Sequence, residues 1–375
     1  MELDLTDEQR MLVQTIGDFV RREAPHDKVG RVFQRENGYD AAMFERAAGA
    51  GWLGMLVPEA YGGLGLPVTD CAVAFEEFGK APLPGPLFTS GILATLILLE
   101  AGTQQQKEQV LPEVALGETK IAVAAIDSGI GWGPDLVRAT FRRDGDRLFV
   151  SGRKPFVHDA DAADLFICLV VEEGAPAGKA SLLLVDRSAA GVAVESCSGL
   201  ITGVSSVRLD SVAVPADSML GIAGRGWADL ERATQRALPI MSAFMVGGCI
   251  QVFEFTLEYT RIRHAFGQPI GRFQRVQDHV VDIANAMDGA SLITSELLWK
   301  LERDRADPAD IHEAAAVAKE AYYQACNFSH MVHAGPGTDL DHPLMAHTLV
   351  SRSLYQYLGD PTYHRQRMMD IRYPA

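Results

Sequence analysis

The sequence predicts an α+β protein: helices first, a β module in the middle and a long helical bundle at the end. Three observations carry that expectation. Apolar residues recur at helical spacing near the start, with Leu12, Ile16, Phe19 and Val20 on one face. Between residues 121 and 214 the period shortens, and strand-like runs alternate with turn residues. From Gly226 onward the helical period returns in three long segments, 241–262, 273–301 and 310–332. Helices of that length suggest a bundle whose flat faces bury against another subunit. The resulting boundaries are a helical domain over 1–120, a β-domain over 121–222 and a helical bundle, four-helix in type, over 223–375.

The elements follow in order. Thr6 with Gln9 reads as a capping box opening the first helix. Residues 51–66 (GWLGMLVPEAYGGLGL) break the helices, because Pro58 and the pair Gly62-Gly63 forbid a continuous one. Helical patterning resumes over 73–78, 92–100 and 104–111. Strands are predicted over 121–126, 165–171, 181–185, 191–195 and 207–214, and Asp144-Gly145 signals a hairpin between 139–141 and 148–150. That spacing points to a small β-barrel or sandwich rather than βαβ units. Asp310, with Glu313 three residues on, reads as the start of the last long helix.

Composition narrows the function classes. A chain of 375 residues with 47% hydrophobic and 22% charged residues has ample core for two or three domains. Its formal charge of -15 argues against a nucleic-acid partner, since no basic face would neutralise a phosphate backbone. The longest mainly apolar run, 92–99, is too short for membrane insertion, and the N-terminus lacks the apolar core of a signal peptide. Cys71, Cys168, Cys197, Cys249 and Cys326 fit neither a disulfide framework nor zinc spacing, so reduced thiols and a cytoplasmic location are expected.

Against that acidity, residues 259–277 (YTRIRHAFGQPIGRFQRVQ) form a basic knot with Arg261, Arg263, Arg272 and Arg275. Phe266-Gly267 and Pro269-Ile270 break the helix beside the arginines, and Phe273-Gln274 adds an aromatic ring and an amide. Arginine offers planar bidentate donors suited to phosphate oxygens, so the segment suits a phosphorylated cofactor.

Four ordered segments then resemble the acyl-CoA dehydrogenase family, and the likeness runs over nearly the whole chain. They are 51–66, 152–158 (GRKPFVH), 209–221 (LDSVAVPADSMLG) and 263–274, which is similar to the pattern R-x-x-F-G-x-P-I-x-x-F-Q. The resemblance implies FAD held between the β-domain and the bundle and across a subunit interface. It puts Arg263 and Gln274 on the pyrophosphate and adenosine part, with Phe266 packing nearby. Phe156 and His158 fall in the β-segment beside the flavin, and Gly335 and Gly337 in the C-terminal glycine motif. The implied reaction is α,β-dehydrogenation of an acyl-CoA thioester, in which a carboxylate removes the α-proton and the β-hydrogen leaves as hydride to flavin N5. The implied partners are an acyl-CoA substrate of fatty-acid or steroid-side-chain type, a homo- or hetero-oligomer with a related chain, and an electron-transferring flavoprotein as acceptor.

The chain departs from the family at the chemistry. One placement of the base, a glutamate in a Y-E-G-T-like sequence, corresponds to Tyr357-Leu358-Gly359-Asp360, with Leu358 at the acid position. The other falls on Ala237, with Leu238 replacing a neighbouring arginine, while Glu231 and Arg236 lie close by. Asp360 is the best remaining acid and the candidate catalytic residue. The family's T-E-P-G-A-G-S-D-like loop appears as residues 125–133, where Ile126 lacks a hydroxyl. His158 replaces a threonine or serine, and Met331 replaces a glutamine. Three readings stand: a dehydrogenase with a displaced acid, a partner subunit without a base, and a flavin-free protein on the same fold.

Overall fold

The structure is a computed structural model describing residues 4–35, 37–127, 131–176 and 178–374. Six helices open the chain: α1 (Asp7–Glu23), α2 (His26–Arg35), α3 (Ala41–Gly49), α4 (Val68–Lys80), α5 (Thr95–Ala101) and α6 (Gln104–Leu116). α1 begins at the predicted capping box, where the Thr6 hydroxyl accepts from Gln9 N and the Gln9 amide oxygen accepts from Thr6 N. The predicted break over 51–66 holds only two short 3-10 turns, Trp52–Gly54 and Glu59–Tyr61. A π-helical stretch, Thr89–Ala94, leads directly into α5.

The strands are β1 (Ile121–Ala124), β2 (Thr140–Asp144), β3 (Arg147–His158), β4 (Leu165–Glu172), β5 (Ala180–Asp186), β6 (Val192–Ser196), β7 (Val204–Pro215) and β8 (Met219–Leu220). They form one mixed sheet of order β6-β7-β3-β2-β4-β5-β8, with β1 pairing parallel to β4. The hairpin signalled by Asp144-Gly145 closes between Asp144 and Arg147. Its core includes Phe141, Leu148, Val150, Phe166, Leu183 and Val212, all fully buried.

The last third holds α7 (Gly226–Ile262), the short strands β9 (His264–Ala265) and β10 (Gln268–Pro269), then α8 (Gln274–Leu301), α9 (Pro308–His333), α10 (Pro343–Gln356) and α11 (Pro361–Arg372). α7 begins at Gly226 rather than at 241 and runs through Pro239. Burial of Leu238 and Ile240 offsets the backbone bond that proline forfeits. The predicted Asp310–Glu313 start of α9 is corrected to Asp307. Its carboxylate accepts from Asp310 N, Asp310 returns the bond to Asp307 N, and Pro308 fills the first helical position, where no amide proton is needed. Among the described residues, α7 is the one helix long and apolar enough to cross a bilayer, and 61% of its apolar window is buried inside the protein.

Two compact units interleave along the chain: Met1–Arg35, Val68–Leu83 and Leu238–Ala375 in one, Glu36–Pro67 and Pro84–Ala237 in the other. In the first, helical unit, α4 and α7 cross at backbone contact. A Cβ on Gly79 would lie 1.9 Å from the Phe244 carbonyl oxygen, and one on Gly247 1.9 Å from that of Glu76. In the second, the π-helical stretch is tied to the sheet. Ser90 Oγ accepts from Ile121 N at 3.1 Å, and Thr89 Oγ1 donates to Asp159 Oδ2 at 2.7 Å.

Candidate cofactor and substrate site

In the helical unit, the arginine segment folds as a hairpin at the end of α7. β9 pairs with β10 around a two-residue turn, Phe266-Gly267, whose residues both have left-handed backbone (φ +51° and +79°). Paired positive φ values match the twist of a tight hairpin, and glycine takes the second position without strain. Phenylalanine in the first is strained, and its ring is 95% exposed, edge-on to Phe273 at 6.0 Å. Arg263 is held by its backbone, donating to Tyr259 O and accepting from Ile270 N. Its side chain and that of Gln274 are exposed and make no ion pair or hydrogen bond among the described residues.

The glycine motif lies in the same unit, joined to that segment's root. The Tyr259 ring stacks on His333 with centroids 4.3 Å apart, and His333 Nδ1 and the Thr256 hydroxyl both meet Ser329. The two glycines differ. A Cβ on Gly337 would approach His333 Cβ to 2.7 Å, whereas Gly335 has open space around it, so the tight approach expected of both belongs to Gly337 alone. Met331 is 70% exposed at the glutamine position.

The acid positions are apolar and shut. Leu358 is 1% exposed, with left-handed backbone (φ +60°), and Ala237 and Leu238 are fully buried. Asp360 is the N-cap of α11, its carboxylate accepting from Tyr363 N at 2.7 Å. Beside that turn the buried Lys319 ammonium donates to the carbonyls of Leu354 and Tyr357, both at 2.7 Å. Burial pulls Lys319 down to about 7, against the pull of the nearby Asp360 carboxylate. Glu231 lies half-buried near the start of α7, and Arg236 is exposed.

In the other unit, Phe156 and His158 occupy the end of β3. Phe156 is 49% exposed; His158 is half-buried and pairs in register with Val204. Of the loop over 125–133, Ser128, Gly129 and Ile130 lie outside the described residues. Its root is clamped by a buried ion pair that sequence reading missed. Lys154 Nζ donates to Asp127 Oδ2 (2.8 Å) and to the carbonyls of Ala125 and Leu169, while Arg138 N donates to the same carboxylate oxygen. Asp159, also missed, follows His158 with φ +55°. Burial pushes it up to about 6, against the Thr89 hydrogen bond and with added repulsion from Asp161. Neither had a local signal, because the partners lie far off in sequence.

The family model of the acyl-CoA dehydrogenase N-terminal domain matches residues 6–118, and that of the C-terminal domain matches 224–371. The chain belongs to the acyl-CoA dehydrogenase family. It is 27% identical to the probable acyl-CoA dehydrogenase YngJ of Bacillus subtilis over 90% of both chains. Among solved structures, it superposes on butyryl-CoA dehydrogenase from Megasphaera elsdenii with a TM-score of 0.87, at 19% identity over 99% of both chains. A steroid ACAD variant named for Tcur3481 and Tcur3483 matches at 26% identity and TM-score 0.83, over 97% of both chains. Membership in the acyl-CoA dehydrogenase family implies FAD. Within the helical unit, the exposed Arg263 guanidinium, the exposed Gln274 amide and the exposed Phe266 ring are donors and an apolar face of the kind a dinucleotide requires, so these residues fit it.

Proposed function

We propose that this chain works within a flavin-dependent acyl-CoA dehydrogenase complex as the subunit that supplies cofactor-binding surface, while a related chain carries the base that removes the α-proton of the acyl-CoA thioester. One observation carries the reading: the side chains at both family base positions are buried and apolar, Leu358 at 1% exposure and Ala237 at 0%. Bound FAD supplies the hydride acceptor for α,β-dehydrogenation. This chain's own part is to hold and orient. Arg263 and Gln274 are the phosphate- and adenosine-side donors, Phe266 and Phe156 the apolar cover, and Gly337 keeps the turn beside His333 narrow. His158 is a donor at the end of β3, and Gly335 continues the glycine turn.

The structural relative named for two chains supports a hetero-oligomer. Within the same reading, an electron-transferring flavoprotein takes the electrons and the setting is cytoplasmic. The competing reading, a self-sufficient enzyme, rests on Asp360, a carboxylate already engaged as a helix cap.

Flavin content and turnover decide between them. The chain purified alone is expected to carry well under one flavin per chain and to show no acyl-CoA oxidation with an artificial acceptor, while co-expression with a glutamate-bearing relative restores both. Full occupancy and turnover by the lone homo-oligomer would overturn the proposal. Asp360→Asn then tests the displaced acid cleanly, since asparagine caps a helix about as well as aspartate. Lost turnover with retained flavin makes Asp360 the base, and unchanged turnover removes it.

A further inference from the structure

We propose that the turn joining α9 to α10 is a proton-operated switch: His342 caps α10 as a neutral imidazole and releases the helix start when it takes a proton. Pro343 fills the first helical position and has no amide proton, so Leu344 supplies the first backbone donor of the helix. His342 Nδ1 accepts from Leu344 N at 3.2 Å. An accepting ring nitrogen is bare, so the His342 proton sits on Nε2. Serine, threonine and asparagine, the usual caps, keep their acceptor oxygen at every pH, whereas an imidazole loses its acceptor within the histidine range. Once Nδ1 is protonated, two N–H groups face each other and a positive charge stands at the positive end of the α10 dipole.

Two further imidazoles share the turn, and hydrogen bonding fixes both as neutral tautomers. The Thr348 hydroxyl donates to Leu344 O at 2.9 Å, so in its 2.7 Å contact with His330 Nε2 the histidine is the donor. His330 Nδ1 is therefore bare, and it is buried with no partner among the described residues. His333 Nδ1 lies 3.0 Å from the Ser329 carbonyl, which only accepts, so that nitrogen carries the proton. The His342 ring stands edge-on to His333 with centroids 4.9 Å apart. Gly337 wedges the group together, since a Cβ there would lie 2.7 Å from His333 Cβ and 3.4 Å from both His330 Nδ1 and Leu344 Cδ2. Each packed element adds a titratable or charged group: Tyr259 of α7 stacks on His333, Arg352 of α10 repels a proton on His330, and Asp339 of the turn attracts one to His342. Burial outweighs Asp339 and holds His342 below its ordinary 6.5. Burial also lowers His330, with added repulsion from Arg352 and His342, and lowers His333 against its bond to Ser329. The closed turn thus binds its proton more weakly than the open one, so closure is complete above about pH 6.5 and is lost as pH falls.

The switch needs no part of the proposed function; that function only gives it a consequence, because Gly335 and Gly337 lie in the same turn. Hydrogen exchange of the full chain tests it, read over residues 331–345 and corrected for the chemical exchange rate at each pH. From about pH 7.5 down to about 5, the Leu344 amide and its neighbours should lose protection by about 2- to 30-fold, the range of one lost helix cap, while the α4–α7 crossing keeps its protection. His342→Asn supplies a cap without a titratable nitrogen, so the segment should stay protected across that range. His342→Ala should exchange at the open level at both ends of it. Imidazole nitrogen NMR shifts should place the His342 proton on Nε2 at the upper pH and on both nitrogens at the lower. Protection that does not change with pH, acid opening undiminished in His342→Asn, or a neutral His342 protonated on Nδ1 overturns the proposal. Flavin content and turnover of the assembled complex decide the dehydrogenase reading separately, whichever way the exchange result falls.

Discussion

Lys154 shows how much one side chain can hold together unseen in the sequence. It is fully buried in β3, and burial pulls its pKa down while the Asp127 carboxylate opposes that pull. Its three bonds fix residues 125, 127 and 169 at once. Removing one partner of a buried pair leaves the other charge without compensation, at a cost of about 3–5 kcal/mol. Lys154→Met should therefore lower the unfolding free energy by that amount, read as a lower urea midpoint at unchanged slope, and adding Asp127→Asn should recover part of the loss. A single mutant with wild-type stability would refute this. In the sequence, Lys154 is one basic residue in GRKPFVH, because its role depends on contacts that only folding creates. Phe266 and Gly267 were legible for the opposite reason: turn chemistry is local, and a helix-breaking pair beside arginines already implies a displayed tip.

Elements were legible wherever periodicity or capping is a near-neighbour property, as in α1, β4 and α8. They were misread where tertiary packing overrides local preference. The segment expected from 241 begins at Gly226 and passes through Pro239, and Pro308 together with Asp307 moved the start of α9. The π-helical stretch at Thr89–Ala94 left no pattern apart from ordinary helical spacing. The α4–α7 crossing gives the element-scale test. Gly79→Ala places a methyl group 1.9 Å from a carbonyl oxygen, so the helices must separate, with an expected loss of about 1–3 kcal/mol. Gly30→Ala in α2 meets nothing within 4 Å and removes a helix-weakening glycine, so a gain of about 0.5–1 kcal/mol is expected. Thermal melts of the two variants should move in opposite directions, and a shared direction would show that the crossing is looser than its geometry.

For the molecule as a whole, the interleaving of five chain segments into two units has no local signature, since it depends on which distant surfaces meet. Whole-chain behaviour is instead written in buried bases. Burial lowers His347 to about 3 and His312 to about 4, and holds His364 well below its ordinary 6.5. Lys319 falls to about 7 from 10.5. Each binds its proton more weakly folded than unfolded, so the unfolded chain holds more protons between the two values and stability rises with pH there. The histidine contribution is complete above about pH 6.5 and is lost as pH falls toward 4. The lysine contribution grows from about pH 7 to 10.5. Asp159, raised to about 6 from 3.8, opposes the histidines by favouring the protonated folded state over that lower range. Urea midpoints should therefore climb in two steps between pH 4 and 9, with the acid step blunted. They should turn down above about pH 9, where the buried Cys71, Cys168 and Cys326 thiols, each pushed up to about 12, stay protonated folded but ionise unfolded. Lys319→Met should shrink the alkaline rise, leaving the part due to buried Lys154, and leave the acid step, even though freeing the Leu354 and Tyr357 carbonyls lowers stability throughout. An alkaline rise undiminished in Lys319→Met would place its origin in another group.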